Sequence, residues 1–219
     1  MSDNKLPVLV CTHGWKHDRT AWSPLIEELP DGLAIVTWDL PYHGEAGPLA
    51  RPEEPPRPEM VERLREQIGD LGSVILVGHS LGGYVTLSYA LQYPEHVAGL
   101  VLLSTGPGFA KPEGIEAWNQ WVTDGIAPDA PDQELLAYHY DSVVYERLSE
   151  LEMPVVVLQG ERDTRFDAAR KVFEARLSRV ESHVLADAGH NIHVKKPRQV
   201  AEIVLDWISR VELDSRPRP

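Results

Sequence analysis

Val74-Ile-Leu-Val-Gly78-His79-Ser80-Leu81-Gly82-Gly83 is the stretch that decides the fold. An apolar run passing straight into Gly-x-Ser-x-Gly predicts a buried strand, a sharp turn and a helix beyond it. Gly78 and Gly82 suit that turn, because a Cβ at either would collide where strand and helix cross. The residues from Tyr84 to Tyr93 read as the helix, with Val85, Leu87, Ala90 and Leu91 on its apolar side. The strained turn lifts the Ser80 hydroxyl out of the fold at a helix N-terminus, where free N–H groups favour developing negative charge. Ser80 therefore reads as a nucleophile. The pentapeptide alone also arises by chance, so its context has to carry the reading.

Outward from that stretch, apolar runs alternate with segments of helical period, the pattern of a parallel sheet covered on both faces. Strands are expected near Val8–Thr12, Ala34–Trp38, Val74–Val77, Leu100–Leu103, Val155–Leu158 and His183–Leu185. Helices are expected near Trp22–Leu29, Pro58–Leu71, Tyr84–Tyr93, Ala168–Leu177 and Pro197–Val211. Gly47–Pro58, rich in proline and charge, reads as a long surface loop. From about Gly106 to Glu150 the alternation breaks. That segment carries Phe109, Trp118, Trp121, Tyr138, Tyr140 and Tyr145, and it follows a strand at the carboxyl edge of the sheet, where ligands bind. Its rings suit the wall and roof of an apolar pocket, with Trp118, Trp121, Tyr138 and the elbow's His79 as candidate pocket residues. They equally suit the plain packing of a small cap onto the body.

At 219 residues the chain fits one α/β domain, spanning 1–219, with a small cap insertion at about 106–150. Its 21 basic and 34 acidic residues give a net charge of −13, which opposes binding to nucleic acid or to an anionic membrane. The N-terminal apolar run is too short for a secretory core and there is no spanning segment, so a cytoplasmic location is the expectation. Lone Cys11 sits in an apolar strand run and reads as a buried thiol.

A serine hydroxyl is a poor nucleophile until a base takes its proton, and that base is best held by a carboxylate. Two strand-to-loop breaks downstream supply both. Val155-Val-Val-Leu-Gln-Gly160 runs into a polar loop ending at Asp163, and Ser182-His-Val-Leu-Ala-Asp-Ala-Gly189 leads to His190. His190 is the candidate general base and Asp163 the residue that orients its ring. Glu161, Asp167 and Asp187 compete for the acid's place. His193 is the rival histidine, with a hydrogen-bonding role in the loop as its ordinary explanation. The oxyanion formed by attack on a carbonyl needs two N–H donors. The Leu81 amide is one, and the Trp15 amide, in the loop Thr12-His13-Gly14-Trp15, is the other. Metal binding fits poorly: His13 and His17 share an i, i+4 spacing, but in a glycine-containing loop without a ligand cluster nearby. No phosphate-cradling glycine pattern is present.

Together, His13-Gly14-Trp15, Asp39-Leu-Pro-Tyr-His-Gly44, Gly78-His-Ser-Leu-Gly-Gly83, Gly160-Glu-Arg-Asp163 and Ala188-Gly-His190 resemble the α/β-hydrolase superfamily over nearly the whole chain. The resemblance implies a mostly parallel six-stranded α/β-hydrolase sheet, helices on both faces and a short helical cap. It implies the family strand order 4-3-5-6-7-8, with the family's antiparallel opening pair missing. The closing half, Gly160-Glu-Arg-Asp-Thr-Arg-Phe166 and Ala188-Gly-His-Asn-Ile-His193, is similar to the succinyl-hydroxycyclohexadiene-carboxylate synthases of menaquinone biosynthesis, as is Asp39-Leu-Pro. That family uses Ser, His and Asp to eliminate pyruvate. It implies an arginine after the elbow's Ser-Leu-Gly-Gly, where this chain has Tyr84, and a tyrosine where it has His79. Arg51, Arg57 or Arg165 could supply the cation instead.

The expectation is a cofactor-free serine hydrolase acting on a small-molecule ester or thioester with an apolar acyl part. A lyase or C–C bond hydrolase on the same triad, and a ligand-binding relative without turnover, stay open as alternatives.

Overall fold

A computed structural model describes residues 7–125 and 133–211. Six strands, β1 (Leu9–Thr12), β2 (Ile35–Trp38), β3 (Val74–His79), β4 (Val97–Leu103), β5 (Val155–Gly160) and β6 (Val180–Leu185), form one sheet in the order β2-β1-β3-β4-β5-β6. Every pairing is parallel. This is the strand order that the resemblance implies.

Strand residues alternate between two cores, as the period of two requires. Val10, Leu76, Leu100, Leu102, Val155 and Val157 pack on one face with α2 (Arg57–Ile68), α3 (Leu81–Gln92) and α7 (Asp167–Arg176). Cys11, Ile75, Val77, Val101, Val156 and Leu158 pack on the other with α1 (Ser23–Ile26), α8 (Ile192–Lys195) and α9 (Pro197–Arg210). Cys11 is buried, and burial pushes its thiol far up from its ordinary value, so it is an inert core residue.

Each expected strand is present, and β3, β4, β5 and β6 run longer than their apolar cores. The helix expected over Trp22–Leu29 is instead a 3-10 turn at Arg19–Trp22 and the single turn α1. Pro24 and Pro30 bracket the space available to it. Over α3, residues Gly82 to Leu91 are all buried, so this helix is enclosed all round, and its Thr86 and Ser88 hydroxyls donate to the Gly83 and Tyr84 carbonyls. The loop expected at Gly47–Pro58 holds except for its end, since α2 starts at Arg57 with Pro58 in its first turn.

Among the described residues between β4 and β5 lie α4 (Pro112–Asp124), α5 (Glu134–Ala137) and α6 (Val143–Arg147). Within the expected insertion, residues 126–132 fall outside the described residues. The chain leaves β1 for β2 on one side and returns to β3 on the other, so the strand order reverses between β1 and β3. In open α/β sheets the crevice beyond the carboxyl ends at such a reversal is where ligands bind.

Candidate active site

Ser80 links the end of β3 to the start of α3 with φ 52° and ψ −117°. A non-glycine residue in that region costs on the order of 1–3 kcal/mol and persists only where its surroundings enforce it. They do so here. A Cβ on Gly78 would lie 2.5 Å from the Gly83 Cα, and one on Gly82 would strike the Thr12 carbonyl. The Ser80 N–H donates to the Leu103 carbonyl at 3.0 Å, and the Thr105 hydroxyl donates to the Ser80 carbonyl at 2.6 Å. The elbow is thus clamped by the end of the neighbouring strand.

The two loops expected to supply the partners meet. The His190 Nδ1 lies 2.7 Å from the Asp163 Oδ2, and Asp163 is 7% exposed. With Nδ1 donating to the carboxylate, Nε2 is the ring nitrogen free to accept a proton. The Phe166 ring stacks against His190 at 5.4 Å and 13°. The rival acids are engaged elsewhere. Glu161 accepts from the Asp187 N–H at 2.9 Å, Asp187 pairs with Arg162 at 2.6 Å, and Asp167 accepts from Gln159 at 2.7 Å.

Ser80, Leu81, Trp15 and His190 line one cavity of about 520 Å³. Leu81 opens α3, so its N–H is one of the helix's free donors, and Trp15 reaches the same cavity from the end of β1. Gly14 lets the two loops approach, since a Cβ there would meet His79 Nδ1 at 2.6 Å. The opposite wall comes from between β4 and β5: Phe109, Trp118, Trp121, Tyr138 and Tyr145 all line the cavity. Tyr140 does not, and is exposed.

His79 departs from its expected place. It does not line the cavity; its ring is buried behind Ser80, with Nε2 3.1 Å from the His190 carbonyl. The strand's alternation turns residue 79 inward when residue 80 turns out. His193 departs too. Instead of hydrogen bonding within its loop, it is fully buried with neither ring nitrogen partnered, 4.7 Å from the Trp22 ring and 4.3 Å from the His79 ring. The spacing of His13 and His17 also pairs the wrong residues. His13 holds the Leu40 N–H at 3.0 Å, while His17, His79 and His193 bring one nitrogen each within 4.8 Å of one another. His43, in the turn after β2, accepts the Lys16 N–H at 3.0 Å.

The structure also separates the three arginines. Arg51 pairs with Glu54 on the surface, and Arg57 is held by Asp141 and by the Tyr84 hydroxyl at 2.8 Å. Arg165 lines the cavity, its guanidinium 4.1 Å from the centre of the Trp121 ring, and Lys16 lines it from the other side. Neither Lys16 nor Thr105 stood out in the sequence. A lysine in a polar loop and a threonine ending a strand are common, and only the meeting of loops gives them a site.

A family model described as alpha/beta hydrolase fold matches residues 7–134. A Bacillus subtilis protein provisionally named 2-succinyl-6-hydroxy-2,4-cyclohexadiene-1-carboxylate synthase is 26% identical, with 95% of this chain and 92% of that protein covered. A pimeloyl-acyl-carrier-protein methyl ester esterase of Aromatoleum aromaticum is 39% identical over 112 residues, which span 51% of this chain and 42% of that relative. Among solved structures, MenH from S. aureus has a TM-score of 0.79 at 22% identity, covering 95% of each chain. A thermophilic esterase from Thermogutta terrifontis, with malate bound, has a TM-score of 0.72 at 25% identity, covering 94% of this chain and 90% of its own. The chain belongs to the alpha/beta hydrolase fold family and is an enzyme of that fold.

Proposed function

We propose that this protein is a serine hydrolase that cleaves a small ester or thioester through an acyl-enzyme. Ser80 attacks the carbonyl carbon while His190 takes the hydroxyl proton, and Asp163 holds the imidazole and offsets its charge. The Trp15 and Leu81 amides receive the oxyanion, a contact whose loss typically costs about 3–4 kcal/mol in the transition state. His190 then hands the proton to the leaving alkoxide or thiolate. In the second half it takes a proton from water, which attacks the acyl carbon and frees Ser80. No metal or cofactor enters these steps.

The observation that carries the reading is the 2.7 Å contact of His190 with buried Asp163, beside a cavity that Ser80 reaches from left-handed backbone. The aromatic lining supports an apolar acyl group. Hydrolysis of a short-chain aryl ester by Ser80→Ala tests it: turnover should fall at least about 1,000-fold with the fold intact by circular dichroism. Native-level turnover by that variant would remove Ser80 from the mechanism.

A second reading is elimination, on the same groups, from a substrate bearing carboxylates. The Bacillus subtilis relative, covered over nearly its full length, and the cations Arg165 and Lys16 in the cavity favour it. Here the arginine implied beside the elbow is replaced by Tyr84, which is neutral, so the anion would have to be met by Arg165. An acyl-enzyme burst belongs to hydrolysis alone and separates the two.

A further inference from the structure

Behind the elbow, on the side of Ser80 away from the cavity, three histidines from three separate parts of the chain converge. His17 follows β1, His79 ends β3 and His193 lies in α8. Their rings are tilted to one another rather than stacked, with centroids 4.3 to 6.1 Å apart. His79 and His193 are buried, and three of their four ring nitrogens have no hydrogen-bond partner among the described residues. A buried polar atom left unpaired costs about 1–3 kcal/mol, and most buried polar atoms in native proteins find a partner. Three such atoms gathered in one place need an explanation that the hydrolytic mechanism does not give.

We propose that His17, His79 and His193 form a binding site for one divalent transition-metal ion of the zinc class. A carbonyl oxygen only accepts, so the His79 Nε2 must carry the proton that it donates to His190, and its Nδ1 is left with a free lone pair. That arrangement, one ring nitrogen bonded to a backbone carbonyl and the other turned toward an ion, is usual for a ligating histidine. Each residue offers one nitrogen, all within 4.8 Å of one another. Tetrahedral zinc with bonds of 2.0–2.1 Å needs these nitrogens about 3.4 Å apart, so the ligands must draw inward by an ångström or so. Half-buried His17 has room to rotate and gives the ion its way in. A donor set of imidazoles with no carboxylate suits zinc, nickel or copper and excludes a calcium or magnesium preference.

The test uses the full chain, free of any affinity tag, stripped with a chelator and titrated calorimetrically with zinc alone. Cobalt absorption serves as an independent readout of tetrahedral coordination. One zinc per chain is expected, with affinity reduced at least tenfold in His17→Gln and unchanged in His183→Gln, whose imidazole lies on β6 beside Glu181. His193→Gln should also lose binding; because replacing a fully buried side chain puts the fold at risk, His17→Gln, at a half-buried position, decides the matter alone. Absence of saturable binding, or equal binding by the native chain and His17→Gln, overturns the proposal. Zinc binding at one equivalent that His183→Gln abolishes would overturn it as well. Neither readout depends on hydrolytic activity, so the site stands or falls apart from the proposed reaction.

Discussion

The two walls of the cavity are built by different means. One wall is the carboxyl edge of the sheet, where Trp15, Ser80, Leu81 and His190 sit at the ends of β1, β3 and β6. Backbone geometry sets their positions: the left-handed Ser80, the close crossings at Gly78 and Gly82, and the clamp from Thr105 leave little freedom. The other wall, between β4 and β5, is a set of rings on α4, α6 and the segments beside them, with Trp118 anchored by its Nε1 on the Ala137 carbonyl at 2.7 Å and Trp121 42% exposed. Under the proposed reaction, the rigid wall would carry the chemistry and the aromatic wall the choice of substrate. Substitutions on the first should change rate for every substrate, and those on the second should change the ranking of substrates.

The largest effect should come from the rigid wall. Asp163→Asn keeps the shape but favours the wrong imidazole tautomer, and kcat should fall about 1,000- to 10,000-fold for all acyl lengths. Steady-state kinetics on an ester series would check it. A loss confined to long acyl chains would break the division between the walls. A smaller effect is expected opposite. Trp121→Ala removes a ring from the cavity and from beneath Arg165, so kcat/KM for a hexanoyl ester should drop about tenfold while that for an acetyl ester stays within about twofold. Equal losses for both esters would show that Trp121 acts on the chemistry and not on selection.

The smallest effect concerns stability. Burial holds the imidazoles of His13 and His139 down to about 4, and that of His193 to about 3, against an ordinary 6.5. Between those values the unfolded chain binds protons that the folded chain refuses, so stability is present above pH 6.5 and is lost progressively as pH falls toward 4. The thermal midpoint should therefore decline by several degrees across that window. A midpoint that is level from pH 6.5 to 4.5 would contradict the neutral state of these buried histidines.

How much of this was legible in the sequence follows the same contrast. The elbow and the loops that carry Asp163 and His190 could be read because each rests on local pattern: an apolar run, glycines at fixed offsets and a polar break after a strand. The strand order came from the family resemblance alone. The helix expected at Trp22–Leu29 shrinks to one turn, with Pro24 fitting its first turn and Pro30 barring continuation past Leu29. His79 could be placed in the chain but not in space. Its neighbour Ser80 faces the cavity, and the alternation that sends Ser80 out sends His79 in. His17 and His193 were too far apart along the chain for any spacing rule to join them. Arg165 could be named only as one of three candidates, since its stacking on Trp121 is a contact between distant segments.

Rapid mixing with an activated aryl ester tests most directly whether the distant loops together activate Ser80. The account expects a burst of one phenolate per chain, with the acyl group mapped by mass spectrometry to the peptide carrying Ser80. Turnover without any burst, or an acyl group found on another residue, would contradict it.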